Sequence, residues 1–424
     1  MPQDLDLDIP FPPRISPDVA GARQRNIDRL VREGLLTREE NVARYLSWDV
    51  AQLAGRFHPE AVGEDLDLGL LQQTFYFVFD DLFDTCLGEE PDHAYRLAHR
   101  MVSLVRRDGT GRPQRPAFPL GEMFVEVWSR SRKGMSDSWC RRAALNWEQF
   151  FLSYVTEAVT RASRTVLDID TYIRQRQIAI GSRGVLDMVE CLARVEAPPE
   201  MHESSCFLQM RDITAEVVTL ANDVTSLEKD EANREVNNAV LLLCLQRRIS
   251  RQEAVDTVRD MIRTRLAHFQ VLSAEALRLC GVLGLSSRER GAVERFVDGN
   301  RAVVRGNHDW TQSNGRYSRQ GVEQVQKSAC LEDRITETPL GPHPHRAALT
   351  TDPFGPGTAA TRPTLGALLS ASALDPRLRA LLTRAGRDGT RVRSTLFSAP
   401  APEPDRVLAE AEARPATSRS RQRA

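Results

Sequence analysis

Long apolar runs are missing from the 424-residue sequence, and their absence excludes a membrane-spanning protein. The longest such run extends from Ala239 to Leu245, far short of the ~20 residues that cross a bilayer. The first residues also lack a basic segment followed by an apolar one, so no secretory signal is predicted. The sequence therefore predicts a cytoplasmic protein without stable membrane association.

Cysteine and histidine are scarce, with seven and eight copies. The cysteines are scattered and form no C-x-x-C pair, which favours reduced thiols over a disulfide framework or a zinc site. No G-x-S-x-G motif is present. The sequence thus offers no triad or side-chain nucleophile, and any chemistry must use other groups.

The net charge of -1 conceals an asymmetry between the two ends of the chain. Residues 341–424 carry thirteen arginines, no lysine and seven acidic residues, a net +6, which leaves -7 for the remainder. An acidic main part gives little support to nucleic-acid binding.

Helical spacing of apolar residues dominates from residue 18 to about 335, after a proline-rich leader. Loops are predicted at 109–119 and 196–200, and no repeat of fixed period occurs. The pattern predicts an all-α domain over residues 1–338. The candidate helices are 18–34, 38–56, 66–84, 92–107, 120–131, 136–162, 167–192, 206–227, 236–246, 250–280 and 286–313.

Beyond about residue 338 the sequence is rich in Pro, Ala, Gly, Ser and Arg. Such a composition buries too little apolar surface to offset its ordering entropy. We therefore predict a disordered extension over 339–424, dispensable for chemistry, with one short amphipathic helix at 365–386.

The stretch "FDDLFD" places Asp80, Asp81 and Asp84 at the end of a predicted helix. Positions three and four apart share a helix face, so the carboxylates should lie together. They also oppose the helix dipole. A solvated acidic helix end is one interpretation, and a Mg²⁺ site with substrate phosphates is the other.

A second polar set lies in "NDVTSLEKDE", where Asn222, Ser226 and Asp230 follow one another every four residues. At 100° per residue they occupy an arc of about 80° on one helix. An amide, a hydroxyl and a carboxylate form an oxygen-ligand set for a hard cation. Ordinary helix-surface polarity is the alternative.

Arginines and aromatic residues accompany both motifs. Arg174 and Arg176 lie in "YIRQRQIAIG", and Arg316 precedes Tyr317 in "NGRY". Arginine suits phosphate because its fork makes paired hydrogen bonds, and aromatic faces stabilise a neighbouring cation. The aromatic residues near these elements are Phe77, Phe79, Trp147, Phe150, Phe151, Tyr154 and Trp310. Taken singly, each is better explained as plain core.

Taken together, these motifs resemble the bacterial class I terpene cyclases, particularly the sesquiterpene cyclases. The resemblance covers roughly residues 1 to 330 and includes "DLDLG", "FDDLFD", "NDVTSLEKDE" and "DWTQSNGRY". The 46 positions from Arg176 to Asn222 also match that family's spacing. It implies a single helical bundle with a central aromatic cavity.

By this resemblance, Asp80 would bind Mg²⁺ while Asp81 and Asp84 support it and help to signal closure. Asn222, Ser226 and Asp230 would bind a further Mg²⁺, with three ions in the closed complex. Arg176, Lys229, Arg316 and Tyr317 would bind the diphosphate. The helix break near Ala179 would turn a backbone carbonyl toward the developing cation. The expected cavity residues are Tyr76, Phe77, Phe151, Ile180, Gly181 and Trp310.

Two positions depart from the family pattern. Asp230 stands where glutamate is usual, one methylene longer, so metal binding should survive with weaker affinity or a shifted helix. Arg176 is followed by Gln177, where relatives commonly have a second arginine. The remaining donors could therefore hold the leaving group less firmly.

The resemblance predicts a Mg²⁺-dependent lyase that ionises an isoprenyl diphosphate and cyclises the carbocation. Farnesyl diphosphate is the favoured substrate and geranylgeranyl diphosphate the second choice. A chain-elongating prenyl transferase is disfavoured because the second site is not D-D-x-x-D. A catalytically silent helical binding protein is the alternative from another class. In either case we expect a monomer or a homodimer.

Overall fold

A computed structural model describes residues 6–318, except for residues 86, 107–115, 117 and 234. These residues form α-helices and connecting loops, without any strand among them. The all-α fold predicted from the sequence is confirmed. The helices are α1 (Val19–Arg32), α2 (Glu39–Trp48), α3 (Val50–Phe57), α4 (Glu64–Thr85), α5 (Pro91–Arg106), α6 (Pro119–Ser131), α7 (Asp137–Ala162), α8 (Ile169–Ala179), α9 (Ser182–Ala193), α10 (Pro199–Glu203), α11 (Ser205–Ala232), α12 (Ala239–Arg247), α13 (Arg251–Val282) and α14 (Ser287–Thr311).

Most of the long helices begin at a polar residue that satisfies the free N–H groups of the first turn. The side chains of Ser136, Asp168 and Ser204 accept from the backbone three residues later, at the starts of α7, α8 and α11. Ser250 and Ser286 complete capping boxes with Glu253 and Glu289. The sequence thus specifies locally where these helices start.

The helices surround α4, which is buried along most of its length by α1, α3, α6 and α9. Another group forms around α11, which packs against α8, α13 and α14. Because α14 also packs on α3 and α9, it connects the two groups. A cavity lies between them.

Two of the predicted helices are each interrupted in the structure. The predicted helix 38–56 is divided at Asp49, which has φ of 49° and ends α2 as α3 begins. The predicted helix 167–192 is divided at Gly181, which has φ of 77°. Glycine adopts this backbone conformation without steric penalty, so a sharp turn separates α8 from α9.

Several predictions concern residues outside the described ones. These are the helix at 365–386, the extension 339–424 and most of the loop 109–119. None of the helices in the described part of the chain combines the length and the hydropathy of a membrane span.

Candidate active site

One large cavity opens between α3, α4, α7, α8, α9, α11 and α14 and, with its mouth, encloses about 1290 Å³. Its wall changes character from one end to the other. Charged residues from α4, α7, α8 and α11 surround one end, and aromatic and aliphatic side chains form the rest. Both predicted polar motifs contribute to the charged end.

Asp80 and Asp84 face the cavity from the last turns of α4. Arg316 Nη2 donates to Asp80 Oδ2 at 2.5 Å and to Asp84 Oδ2 at 3.1 Å. Lys229 Nζ donates to Asp84 at 2.5 Å, and the Tyr154 hydroxyl donates to Asp80 at 3.1 Å. The first motif, the second motif and the C-terminal "RY" pair therefore meet at one point.

Asp81 does not share this face, contrary to the sequence-based expectation. It is 3% exposed, is absent from the cavity wall and accepts from Arg44 Nη2 at 2.6 Å. One residue along a helix rotates the side chain by about 100°, which turns Asp81 toward α2. The pair is buried, so Asp81 acts as a structural residue in this geometry.

The second motif lies on α11, opposite α4. The Ser226 hydroxyl donates to Asp230 Oδ2 at 2.7 Å, and Asn238 Nδ2 donates to the same oxygen at 2.9 Å. Asn222 Nδ2 donates to the Tyr317 hydroxyl at 2.7 Å. Burial raises the pKa of Asp230, against the effect of the Lys229 charge. All three predicted ligands line the cavity.

Arg176 also lines the cavity, and its Nη1 donates to Glu157 at 3.2 Å. Its Nε is buried without a partner among the described residues. Arg174 lies on the other side of α8, where it is exposed and donates to Thr171. Of the two arginines in the motif, only Arg176 is available to a ligand in the cavity.

The guanidinium of Arg316 is buried between aromatic rings. Its central carbon lies 4.9 Å from the Phe77 ring centroid and 5.2 Å from that of Trp48. The Gly315 amide donates to the Ser47 carbonyl at 2.8 Å. The segment after α14 is therefore held against the junction of α2 and α3, which positions Arg316 beside the acidic motif.

The apolar part of the wall includes four of the six expected cavity residues: Tyr76, Phe77, Ile180 and Trp310. Phe151 is fully buried behind the wall against Phe75 and Trp147, whereas its neighbour Phe150 lines the cavity. The expectation for Phe151 is therefore wrong.

Gly181 is likewise not among the lining residues. It lies at the break between α8 and α9, where an added Cβ would meet the Tyr76 ring at 3.2 Å. The close approach and the positive φ both require glycine. Gly181 thus shapes the wall through Tyr76 and does not form it directly.

Sequence reasoning missed four charged residues at this end of the cavity. Arg161 donates to Glu235 and to the Phe83 carbonyl, and Glu157 pairs with Arg176. Asp223 accepts from the Tyr172 hydroxyl at 3.0 Å and the Ala239 amide at 2.9 Å. Burial raises the pKa of Asp223 to about 7, although the charge of Arg176 acts in the opposite direction.

Pairing keeps Asp84 ionised in this buried position. Burial alone would raise the pKa of Asp84, but the charges of Lys229, Arg316 and Arg161 outweigh burial and hold it well below its ordinary value. The same pairing raises the pKa of Lys229. Both groups are therefore charged at neutral pH, so the site has fixed charges of both signs.

The donor set fits a hard divalent cation. Carboxylate, amide and hydroxyl oxygens from α4 and α11 face one space, which is the ligand chemistry of Mg²⁺. The described cavity wall carries six acidic and four basic side chains, an excess of acid that suits a cation. No group of three or more His, Cys, Asp or Glu side chains among the described residues is arranged to hold a metal ion. Oxygen atoms of a bound molecule would therefore have to complete the coordination.

Comparison with known proteins identifies the class. Residues 73–268 match the family described as terpene synthase family 2, C-terminal metal binding. A solved linalool/nerolidol synthase from Streptomyces clavuligerus superposes with a TM-score of 0.66 and 31% identity, over 72% of this chain and all of that one. The fold and the site thus define a terpene synthase.

Individual relatives are sesquiterpene synthases. The chain is 36% identical to pentalenene synthase from Streptomyces avermitilis, over 75% of this chain and 94% of the relative. It is 35% identical to a (-)-beta-caryophyllene synthase from Saccharothrix espanaensis, over 81% and 97% of the two chains. The chain therefore belongs to the bacterial class I terpene synthases, in the sesquiterpene cyclase group, and is a lyase that acts on diphosphates. The class predicted from the motifs is confirmed.

Proposed function

We propose that this enzyme ionises farnesyl diphosphate in the presence of Mg²⁺ and cyclises the C15 carbocation to a sesquiterpene, releasing diphosphate. One observation carries the proposal: two oxygen-donor motifs and four basic side chains surround one end of a cavity whose other end is aromatic. This arrangement separates a diphosphate region from a hydrocarbon region in one space.

Asp80 and Asp84 from α4, with Asn222, Ser226 and Asp230 from α11, are the residues that would hold Mg²⁺, and we expect three ions in the closed complex. Bound Mg²⁺ supplies positive charge that stabilises the departing diphosphate. For these ions to bind, the carboxylates must exchange their present partners, Arg316 and Lys229, for metal.

The basic residues released in this exchange are already positioned for the anion. Arg316 and Lys229 would turn from the carboxylates to the diphosphate oxygens, and the Tyr317 hydroxyl would donate to the same group. Arg176 would use its unpaired Nε from the opposite wall. Fixed donors aimed at developing negative charge are the largest contribution to this kind of catalysis.

The apolar wall would protect and fold the cation. Phe77 and Trp310 meet edge to face, with ring centroids 5.4 Å apart. Tyr76 stacks on Trp147 at 5.0 Å and contacts Phe150 at 4.8 Å. Such packing holds the rings in place, so their negative faces can stabilise positive charge without rearrangement. A dry wall also limits premature capture of the cation.

The choice of a C15 substrate draws support from a relative whose name specifies cyclisation of (2E,6E)-farnesyl diphosphate. A C20 substrate, geranylgeranyl diphosphate, is the second candidate.

Purified enzyme incubated with C10, C15 or C20 diphosphate and Mg²⁺ tests the proposal, with free diphosphate and volatile products as readouts. We expect Mg²⁺-dependent diphosphate release and a cyclic C15 product. Asp80→Asn should abolish both at unchanged stability. No diphosphate release from any of the three substrates would refute the proposal.

Two controls separate the competing functions. Adding isopentenyl diphosphate should not produce a longer diphosphate, as a chain-elongating enzyme would. Inorganic diphosphate with Mg²⁺ should raise the melting temperature, and Arg176→Met should reduce this increase. A silent binding protein without a functional metal site would show no Mg²⁺-dependent shift.

A further inference from the structure

Two unpaired amides face the hydrocarbon part of the cavity. Gln73 from α4 is 3% exposed and Asn307 from α14 is 6% exposed, and both line the cavity. Gln73 Nε2 and Asn307 Nδ2 are buried and have no hydrogen-bond partner among the described residues. Leaving a buried donor unpaired is energetically costly, so their presence in an apolar wall needs an explanation.

Their positions place them away from the diphosphate end. Gln73 precedes Asp80 by seven residues on the same helix, which is two turns or about 10 Å along the axis. Tyr76 and Phe77 lie between them on the cavity wall. Asn307 lies one turn before Trp310 on α14. A bound isoprenyl chain, and not the diphosphate, would be the neighbour of both amides.

A hydrocarbon cannot satisfy an N–H donor, whereas a water molecule can. Buried waters are typically held by two to four polar groups that would otherwise lack partners. A water that accepts from one amide N–H and donates to the carbonyl of the other would keep one lone pair free. That lone pair is a nucleophile inside an otherwise dry cavity.

We propose that Gln73 and Asn307 hold a water that captures the final carbocation, so the enzyme makes a sesquiterpene alcohol. The water oxygen forms a bond to the cationic carbon, and the resulting oxonium ion loses one proton. Diphosphate released by ionisation is a base present in the site that can accept this proton. The net reaction converts farnesyl diphosphate and water to an alcohol and hydrogen diphosphate, without oxidant or reductant.

This inference rests on the proposed function, and one experiment distinguishes their failures. The full chain is incubated with farnesyl diphosphate and Mg²⁺ in H₂¹⁸O, while diphosphate release and the products are measured separately. We expect the main product to be a cyclic alcohol that carries ¹⁸O. Diphosphate release with only hydrocarbon products would overturn the water site but leave the proposed function intact. No diphosphate release would overturn both.

Variants then test the two amides. Gln73→Met and Asn307→Leu keep side-chain volume but cannot hold water, and each should lower the alcohol-to-hydrocarbon ratio by about 10-fold, the equivalent of one lost hydrogen bond. Diphosphate release should continue, since neither residue lies at the charged end. The matched control is Gln72→Met, because Gln72 bonds the Gly184 carbonyl and lies outside the cavity wall.

The ratio should remain unchanged in Gln72→Met. An unchanged ratio in both cavity variants would overturn the assignment, because the amides would then only contact the neighbouring rings. If one variant fails to fold, which its loss of diphosphate release would reveal, the other and the labelling of the native enzyme still decide the question.

Discussion

Asparagine substitution at two adjacent aspartates provides a stringent test of the site geometry. Asp80 faces the cavity and is paired with Arg316. Asp81 is paired with Arg44, and the two side chains are only 4% and 9% exposed. A motif-level interpretation treats both aspartates as part of one metal site, whereas the structure gives them different roles.

Asp81→Asn should destabilise the fold by about 3 kcal/mol, because it removes the charged carboxylate that accepts from the buried Arg44 guanidinium at 2.6 Å. Asp80→Asn should change the free energy of unfolding by less than about 1 kcal/mol, since that carboxylate is 36% exposed. It should nevertheless lower diphosphate release by at least about 100-fold, the cost of removing one key electrostatic group. Urea unfolding and a diphosphate assay measure the two effects.

A double substitution isolates the ion pair. Arg44→Met combined with Asp81→Leu should recover most of the lost stability, since apolar replacement of a buried pair is often neutral. A small deficit should persist because Arg44 also lies 5.5 Å from the Trp48 ring. A structural role for Asp81 is refuted if Asp81→Asn keeps the native free energy of unfolding within about 0.5 kcal/mol but loses activity as completely as Asp80→Asn.

Three further predictions follow from other parts of the molecule. Asp230→Asn should raise the Mg²⁺ concentration for half-maximal diphosphate release by at least about 10-fold, because even changes around a metal ligand lower metal affinity that much. Asp230→Glu should keep this concentration near the native value. Equal values in both variants would count against a ligand role for Asp230. Burial lowers the pKa of His58 from 6.5 to about 4. As the pH falls, the unfolded chain therefore takes up the proton before the folded one does. The free energy of unfolding should decrease by about 2 kcal/mol from pH 7.5 to pH 5. Urea unfolding should show this loss in the native chain and not in His58→Gln; identical pH profiles would contradict it. Ending the chain after Gly341 should leave both unfolding and diphosphate release unchanged, since Met1–Gly341 forms one compact unit that contains the described cavity, and lost activity would show that the extension has a role.

Residue spacing predicted which side chains face the cavity where they all lie on one face of a single helix. Asn222, Ser226 and Asp230 repeat every four residues and do face it together. Spacing failed where the facing direction depended on a partner, as for Asp81 and Arg44. Phe150 and Phe151 show the same limit: only packing against neighbouring helices determines which of two adjacent rings reaches the cavity.

Some of the missed residues did leave a signal in the sequence. Glu157 and Arg161 follow Phe150 and Tyr154 on α7 at spacings that keep all four on one helix face. A polar continuation of an aromatic stripe could therefore have been recognised as the charged end of the cavity. Asn238 had no such signal, because its contact with Asp230 depends on where α12 begins relative to α11.

Pairing of opposite charges explains how charged side chains are accommodated at this end of the cavity, inside a helical bundle. Asp84 accepts hydrogen bonds from Lys229 and Arg316, so the charges of these three side chains compensate one another in the structure. In the proposed function, bound metal would take the carboxylates from the cations, and bound diphosphate would give the cations a new partner. Either change alone would leave buried charges uncompensated, at a cost of several kcal/mol. The two ligands should therefore bind cooperatively, since each one restores the balance that the other disturbs.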